Sequence, residues 1–141
     1  MDNRNHGSRK KNQKWGDEGE GLLFKVDFDG CLLAVTRLCE GPIYHPGGID
    51  FDGDWIWVPV AEYRPDSSSI IFRVDPETLE AEAVFRVDDH VGDLSYSRSD
   101  NKLYGFSWGA RRLYAWQIEH GSVLAPTARV VEIERDRKSV V

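Results

Sequence analysis

The chain lacks any run of about 18 consecutive apolar residues, so it holds no segment of the kind that crosses a membrane as a helix. Its opening stretch, MDNRNHGSRKKNQKW, is basic but has no apolar core behind it, so these residues do not read as a secretory signal. With neither device present, the cytoplasm is the default expectation for location. Cysteine is nearly absent: there are only Cys31 and Cys39. They flank LLAVTRL, an apolar-rich candidate strand. Eight residues of extended chain span about 26 Å at about 3.3 Å each. A disulfide needs Cα atoms within about 7 Å. The two are therefore expected to remain free thiols, which suits a reducing compartment. Their spacing is not that of a metal-binding cysteine pair.

Basic charge is in deficit as well. Lys and Arg number 18 against 24 Asp and Glu, for a net charge of −6 and a pI of 5.2. A dedicated nucleic-acid binder normally shows a basic face, so this balance argues against one. Arg111-Arg112 is the only adjacent arginine pair and reads as a solvated turn. Arg9-Lys10-Lys11 reads as part of a polar, disordered tail over residues 1–20. The familiar catalytic signatures are missing: no Gly-x-Ser-x-Gly elbow, no phosphate loop, no dinucleotide glycine fingerprint and no His-Glu-x-x-His. Phe106-Ser107-Trp108-Gly109 holds a serine, yet spacing assigns it no base.

What the chain does have is apolar material and repetition. Hydrophobic residues make up 40% and aromatics 11%, enough for a core in one domain. His45-Pro46-Gly47-Gly48-Ile49-Asp50-Phe51 is echoed by His90-Val91-Gly92-Asp93-Leu94-Ser95-Tyr96, displaced by 45 residues. The shared pattern is His-x-Gly-x-aliphatic-x-aromatic. Ile56-Trp57-Val58 is echoed by Leu103-Tyr104-Gly105. Phe24-Lys25-Val26-Asp27 recurs as Phe72-Arg73-Val74-Asp75 and, more loosely, as Tyr114-Ala115-Trp116-Gln117, at offsets of 48 and 42. Three elements in one order at similar spacing are the mark of a repeat architecture.

Between these elements the sequence alternates and breaks at turn signals: Asp29-Gly30, Asp52-Gly53, Asp75-Pro76-Glu77-Thr78 and His120-Gly121. ETLEAEAVF has the composition of a short helix, but its place in the repeat makes it a strand. Four short strands per 42–48 residues fit the blade of a β-propeller. The expected fold is all-β: an incomplete β-propeller of about two and a half four-stranded blades over residues 21–119. Residues 22–39 supply the outer strands of one blade, 47–87 a whole second blade, and 92–118 three strands of a third. The last strand is Ser122–Ala125 or Ala128–Glu134, within a divergent segment at 120–141. Propellers close with about four to eight blades, so open strand edges remain. The chain is then a piece of a longer protein, closes by oligomerising through those edges, or stays an open stack. Its start in the middle of a blade favours the first.

The block HPGGIDFDG…IWVPVAEYRP…RVDPET, continued by KLYGFSWGARRLYAW, resembles a propeller-like family classed as a domain of unknown function. The resemblance covers about residues 20–118. It implies parent chains about twice this length and no established activity. Val91-Gly92-Asp93 departs from it, since the family tends to follow the second histidine with Gly-Gly. The tail from His120 onward departs too. More distantly, the repeat style is similar to the gluconolactonase and strictosidine-synthase group, some of which hold a metal in the central channel.

Candidate site residues follow from the repeat. His45 and His90 are expected at the starts of the innermost strands of successive blades, near the channel where propellers bind ligands. Neutral imidazole is a metal ligand and a base near neutral pH. Asp50, Asp89 and Asp93 are nearby acceptors. Glu62, Tyr63 and Arg64 break the repeat, because the third unit has Gly109-Ala110-Arg111 there. The ligand-binding candidates are His45, Asp50, Glu62, Arg64, His90 and Asp93. If a divalent metal ion is bound, His45, Glu62 and His90 are its candidate ligands. Against this, a repeated His-x-Gly also serves structure, with glycine easing a tight turn. The tryptophans at 55, 57, 108 and 116 read as packing, with Trp55 and Trp57 on one face of a strand. Two functions result. One is a propeller module binding a small molecule or a protein partner on the channel face. The other is a metal-assisted hydrolase of the lactonase type, of which this chain is a fragment.

Overall fold

The computed structural model describes residues 19–123 and 129–133. The expectations for the basic tail (residues 1–18), for 124–128 and for 134–141 lie outside the described residues. Among the described residues twelve strands run in order: β1 Leu22–Val26, β2 Leu32–Arg37, β3 Ile43–Pro46, β4 Asp50–Phe51, β5 Ile56–Glu62, β6 Ser69–Val74, β7 Ala81–Val87, β8 Val91–Ser97, β9 Lys102–Ser107, β10 Arg112–Glu119, β11 Ser122–Val123 and β12 Arg129–Glu132. A 3-10 turn at Trp108–Ala110 joins β9 to β10. The protein is all-β; of ETLEAEAVF, the part from Ala81 onward lies in β7, while Glu77–Glu80 belong to the turn before it. Within each sheet every strand pair is antiparallel.

The strands form three sheets. The first is β1–β2, the second runs β3–β5–β6–β7 with β4 beside β5, and the third runs β8–β9–β10–β11 with β12 also on β10. The two sequence candidates for the last strand thus both pair with β10, at different heights: β11 against Ile118 and Glu119, β12 against Arg112–Ala115. The second sheet starts earlier than expected. Pairing to β5 already begins at Ile43, and His45 stands opposite Ala61 inside β3. His90, by contrast, immediately precedes β8. The two histidines share a sequence pattern but not a strand position.

The second sheet is the middle of a stack and is buried on both faces. That is why IWVPVA reads as an unbroken apolar run, as strands covered on both sides do. Alternation divides it. Val58, Val60, Ile70 and Val74 join Leu38, with Leu23 and Ala34 of the first sheet packed against them. Trp57 and Ile71 point the other way and join Leu94, Leu103, Tyr114 and Trp116 of the third sheet. Trp55 packs against that same cluster, on the side of Trp57 as the two-residue spacing required.

Three aspartates build turns by one device. Asp27 Oδ1 accepts from the N–H groups of Asp29 and Cys31. Asp52 Oδ1 accepts from Asp54 and Trp55, and its Oδ2 accepts from the Trp57 indole at 2.8 Å. Asp75 Oδ1 accepts from Glu77 and Thr78. Short polar side chains that bond the backbone two or three residues on make such turns. Cys31 and Cys39 are unpaired, separated by the extended β2.

The repeated glycines act differently from the expectation. Gly47, Gly48 and Gly92 are not among the glycines with positive φ. They let two backbones touch. Gly48 N–H donates to Gly92 O and Leu94 N–H donates to Gly48 O, both at 3.0 Å, joining the second sheet to the third. A Cβ on Gly47 would sit 2.1 Å from Gly92 O, and one on Gly48 would sit 2.9 Å from the Asp93 Cβ. Close approach, not turning, is what requires glycine at 47 and 48, whereas a Cβ on Gly92 would meet nothing nearer than Phe106 O at 3.8 Å.

Candidate functional site

The glycine junction brings β3 beside the start of β8, and with it His45 beside His90. Their ring centroids are 6.0 Å apart. Tyr63, just past β5, lies 4.6 Å from His45, and Trp108 meets His90 edge-on at 4.7 Å. A cleft of about 540 Å³ opens over this group, walled by both histidines, Asp93, Ser107 and Trp108 among others. That volume is in the range of small-molecule sites.

His90 is held on every side. Its backbone N–H donates to Asp89 Oδ1, and its carbonyl accepts from Trp108 N–H. Ser69 Oγ donates to Asp89 O and accepts from Val91 N–H. Asp89 is 4% exposed, and its Oδ2 accepts from the Tyr114 hydroxyl at 2.6 Å and from Arg112 at 2.9 Å. Burial and that carboxylate push the Tyr114 hydroxyl up to about 12. Arg112 also pairs with Glu132, so it anchors β10 and β12 and is not the solvated turn residue its sequence setting suggested.

The tautomer of His90 follows from its acceptors. Nδ1 lies 2.9 Å from Glu62 O and 3.0 Å from Arg64 O. Two carbonyl oxygens require a donor, so Nδ1 carries the hydrogen. In the neutral ring Nε2 then carries the lone pair, and it is the nitrogen left for a ligand in the cleft. His45 is pushed below the usual histidine range, first by burial and then by repulsion from His90. It is therefore neutral at pH 7.

The other sequence candidates divide. Asp93 lines the cleft. Asp50 does not: its Oδ2 accepts from Tyr96 N–H at 2.7 Å, binding β4 to β8. Glu62 turns its side chain to Arg64, at 2.8 Å, and serves the site through its backbone carbonyl. Arg64 likewise supplies a carbonyl. Trp108 is in the cleft wall, outside both core clusters, where its ring packs on His90 and Tyr63. The only signal for that lay in its neighbours: SWGA places it in a turn between strands. Ser107 also lines the cleft, but its Oγ accepts from Arg112 N–H. Among the described residues no group of three His, Cys, Asp or Glu side chains is arranged to hold a metal ion. The two imidazoles are short of a third protein ligand, so the donor set does not complete a metal centre.

Fold and site together define an all-β protein of stacked antiparallel sheets with a histidine–aromatic cleft where two sheets meet. Residues 8–137 match a family of unknown function, DUF6454, and the chain belongs to that family. No curated protein and no solved structure matches it.

Proposed function

We propose that the chain is a propeller-repeat module that binds a small, hydroxyl-rich molecule in the His45–His90–Trp108 cleft. The sheet order supports the propeller reading. The second sheet is four strands in sequence order with β4 completing the first, the third repeats that order, and β1–β2 is the outer half of another. The likeness to gluconolactonase and strictosidine-synthase propellers is one of repeat style and carries no function by itself.

The observation behind the ligand class is the orientation of His90. Its Nδ1–H is spent on two backbone carbonyls, which leaves Nε2 as an acceptor. The Asp93 carboxylate is a second acceptor in the same wall, and the Trp108 ring offers an apolar face beside the two histidines. Acceptors plus a ring suit a molecule with several hydroxyl donors on a partly apolar frame, such as a sugar or polyol. The test is a His90→Asn protein. The Asn amide nitrogen reproduces Nδ1–H toward Glu62 O and Arg64 O but offers nothing in place of Nε2. Against a panel of sugars and polyols followed by ligand-observed NMR, the native protein is expected to bind and His90→Asn to lose binding at least about tenfold, with an unchanged melting temperature. Equal binding by the two proteins, or no binding across the panel, sinks the reading.

A metal-assisted hydrolase is the second reading. It is favoured only by the two adjacent imidazoles, and the incomplete donor set argues for no step through an ion.

A further inference from the structure

The outer face of the first sheet is apolar, and that of the third carries an apolar stripe among polar residues. On the first sheet, Leu22, Phe24, Val26, Leu32, Leu33 and Val35 are each 38–59% exposed. Their partners in alternation, Leu23 and Ala34, pack inward on the second sheet. Counting about 150 Å² for a fully exposed large apolar side chain, the six present on the order of 500 Å². That is as large as the largest patch on an ordinary monomer, and it approaches the roughly 800 Å² that one side of a stable interface buries. At the opposite end of the stack, alternation turns Leu113 and Ala115 away from the core that holds Tyr114 and Trp116. With Lys102, Tyr104 and Val131 they line a groove of about 190 Å³.

Each inner face of the stack already packs one sheet on another, and the two free faces offer surface for the same packing at opposite ends: the apolar β1–β2 face and the Leu113–Ala115–Val131 stripe.

We propose that two copies of this chain associate head to tail, the β1–β2 face of each packing on the β9–β10–β12 face of the other, so that both pairs of free faces are covered in a closed two-copy ring. The ring would hold six sheets, within the four to eight that propellers use. This rests on the propeller reading but not on the ligand in the cleft. It concerns what the 141-residue chain does in solution, whether or not longer relatives complete the same stack from one polypeptide. A head-to-tail pair that closes is finite, whereas one that does not close gives open chains.

Sedimentation-velocity and native mass measurements test it. The expected species has twice the 16.1 kDa mass of the chain. Phe24→Asp and Leu113→Asp, at exposed and half-exposed positions, are each expected to give folded monomers by circular dichroism. Mixing the two variants is expected to restore a dimer, because one intact pair of faces survives only in the mixture. A native monomer at tens of micromolar overturns the proposal, as does an open ladder of oligomers. So does a dimer that one substitution breaks and the other leaves intact, which marks a face pairing with itself. Should either variant fail to fold, the mass of the native protein still decides between dimer, ladder and monomer.

Discussion

At the scale of single residues, His45 and His90 carry opposite lessons. His90 is fixed by its neighbours. Replacing it with alanine removes one donor from the Glu62 and Arg64 carbonyls, which keep Arg64 N–H and Ser67 Oγ, so the loss is that of an ordinary hydrogen bond, about 0.5–1.5 kcal/mol. His90→Asn restores a donor, so urea denaturation is expected to show a clear loss for alanine and little for asparagine. His45 is the group that responds to pH. Its folded-state pKa lies below the value of 6.5, so the unfolded chain binds more protons once the pH falls under that value. The stability difference is absent above about pH 7 and grows as pH falls through 6.5, until the folded value is reached. His45→Gln is therefore expected to flatten the fall in melting temperature between pH 7 and pH 5. A slope equal to the native one would assign that fall to other groups.

Between strands and sheets, the controlling contacts are the glycine junction and the aspartate turns. Gly47→Ala drives a methyl into the Gly92 carbonyl, and overpacking of this kind costs about 1–3 kcal/mol. The same substitution should also move His45 relative to His90, so ligand affinity is expected to fall with it. Asp52→Ala strips two backbone N–H groups and the Trp57 indole of their acceptor, with an expected loss of about 1–3 kcal/mol by chemical denaturation.

Strand existence and turn positions were legible in the sequence because alternation and Asp-Gly or Asp-Pro punctuation are local. β7 was legible only through its place in the repeat. The role of Gly47 and Gly48 was not, since glycine at a turn and glycine at a backbone crossing look alike until the second backbone is in place. The cleft was half legible. The echo of His45 in His90 put two imidazoles near one another, but it could not show that Glu62 and Arg64 serve through carbonyls. Nor could it show that Asp50 is spent on Tyr96, or that Trp108 faces the cleft from the turn after β9.

The molecule as a whole is a series in which the middle sheet belongs to both cores. Trp57 is fully buried and sits where the second and third sheets meet. Truncating a buried tryptophan to alanine costs about 3–5 kcal/mol. Trp57→Ala is expected to lower the midpoint of the entire transition, not to detach one sheet, and coincident fluorescence and circular-dichroism curves would check it. At the same scale, the shortage of a third metal donor gives an expected outcome by elemental analysis. Protein purified without chelators should carry no stoichiometric Ca, Mg, Mn or Zn, and a full equivalent would revive the hydrolase reading.

The double burial of β5 and β6 also sets a clock. Their amides have sheet on either side and a neighbouring strand on each edge, so no partial opening uncovers them. Deuterium should reach them only through the fully unfolded chain, at a rate that reports global stability, while β1 and β2, which among the described residues pair only with each other, exchange through a shallower opening. Two timescales of isotope uptake in one small protein would trace the order of the stack, from its two-stranded sheet to its shared centre.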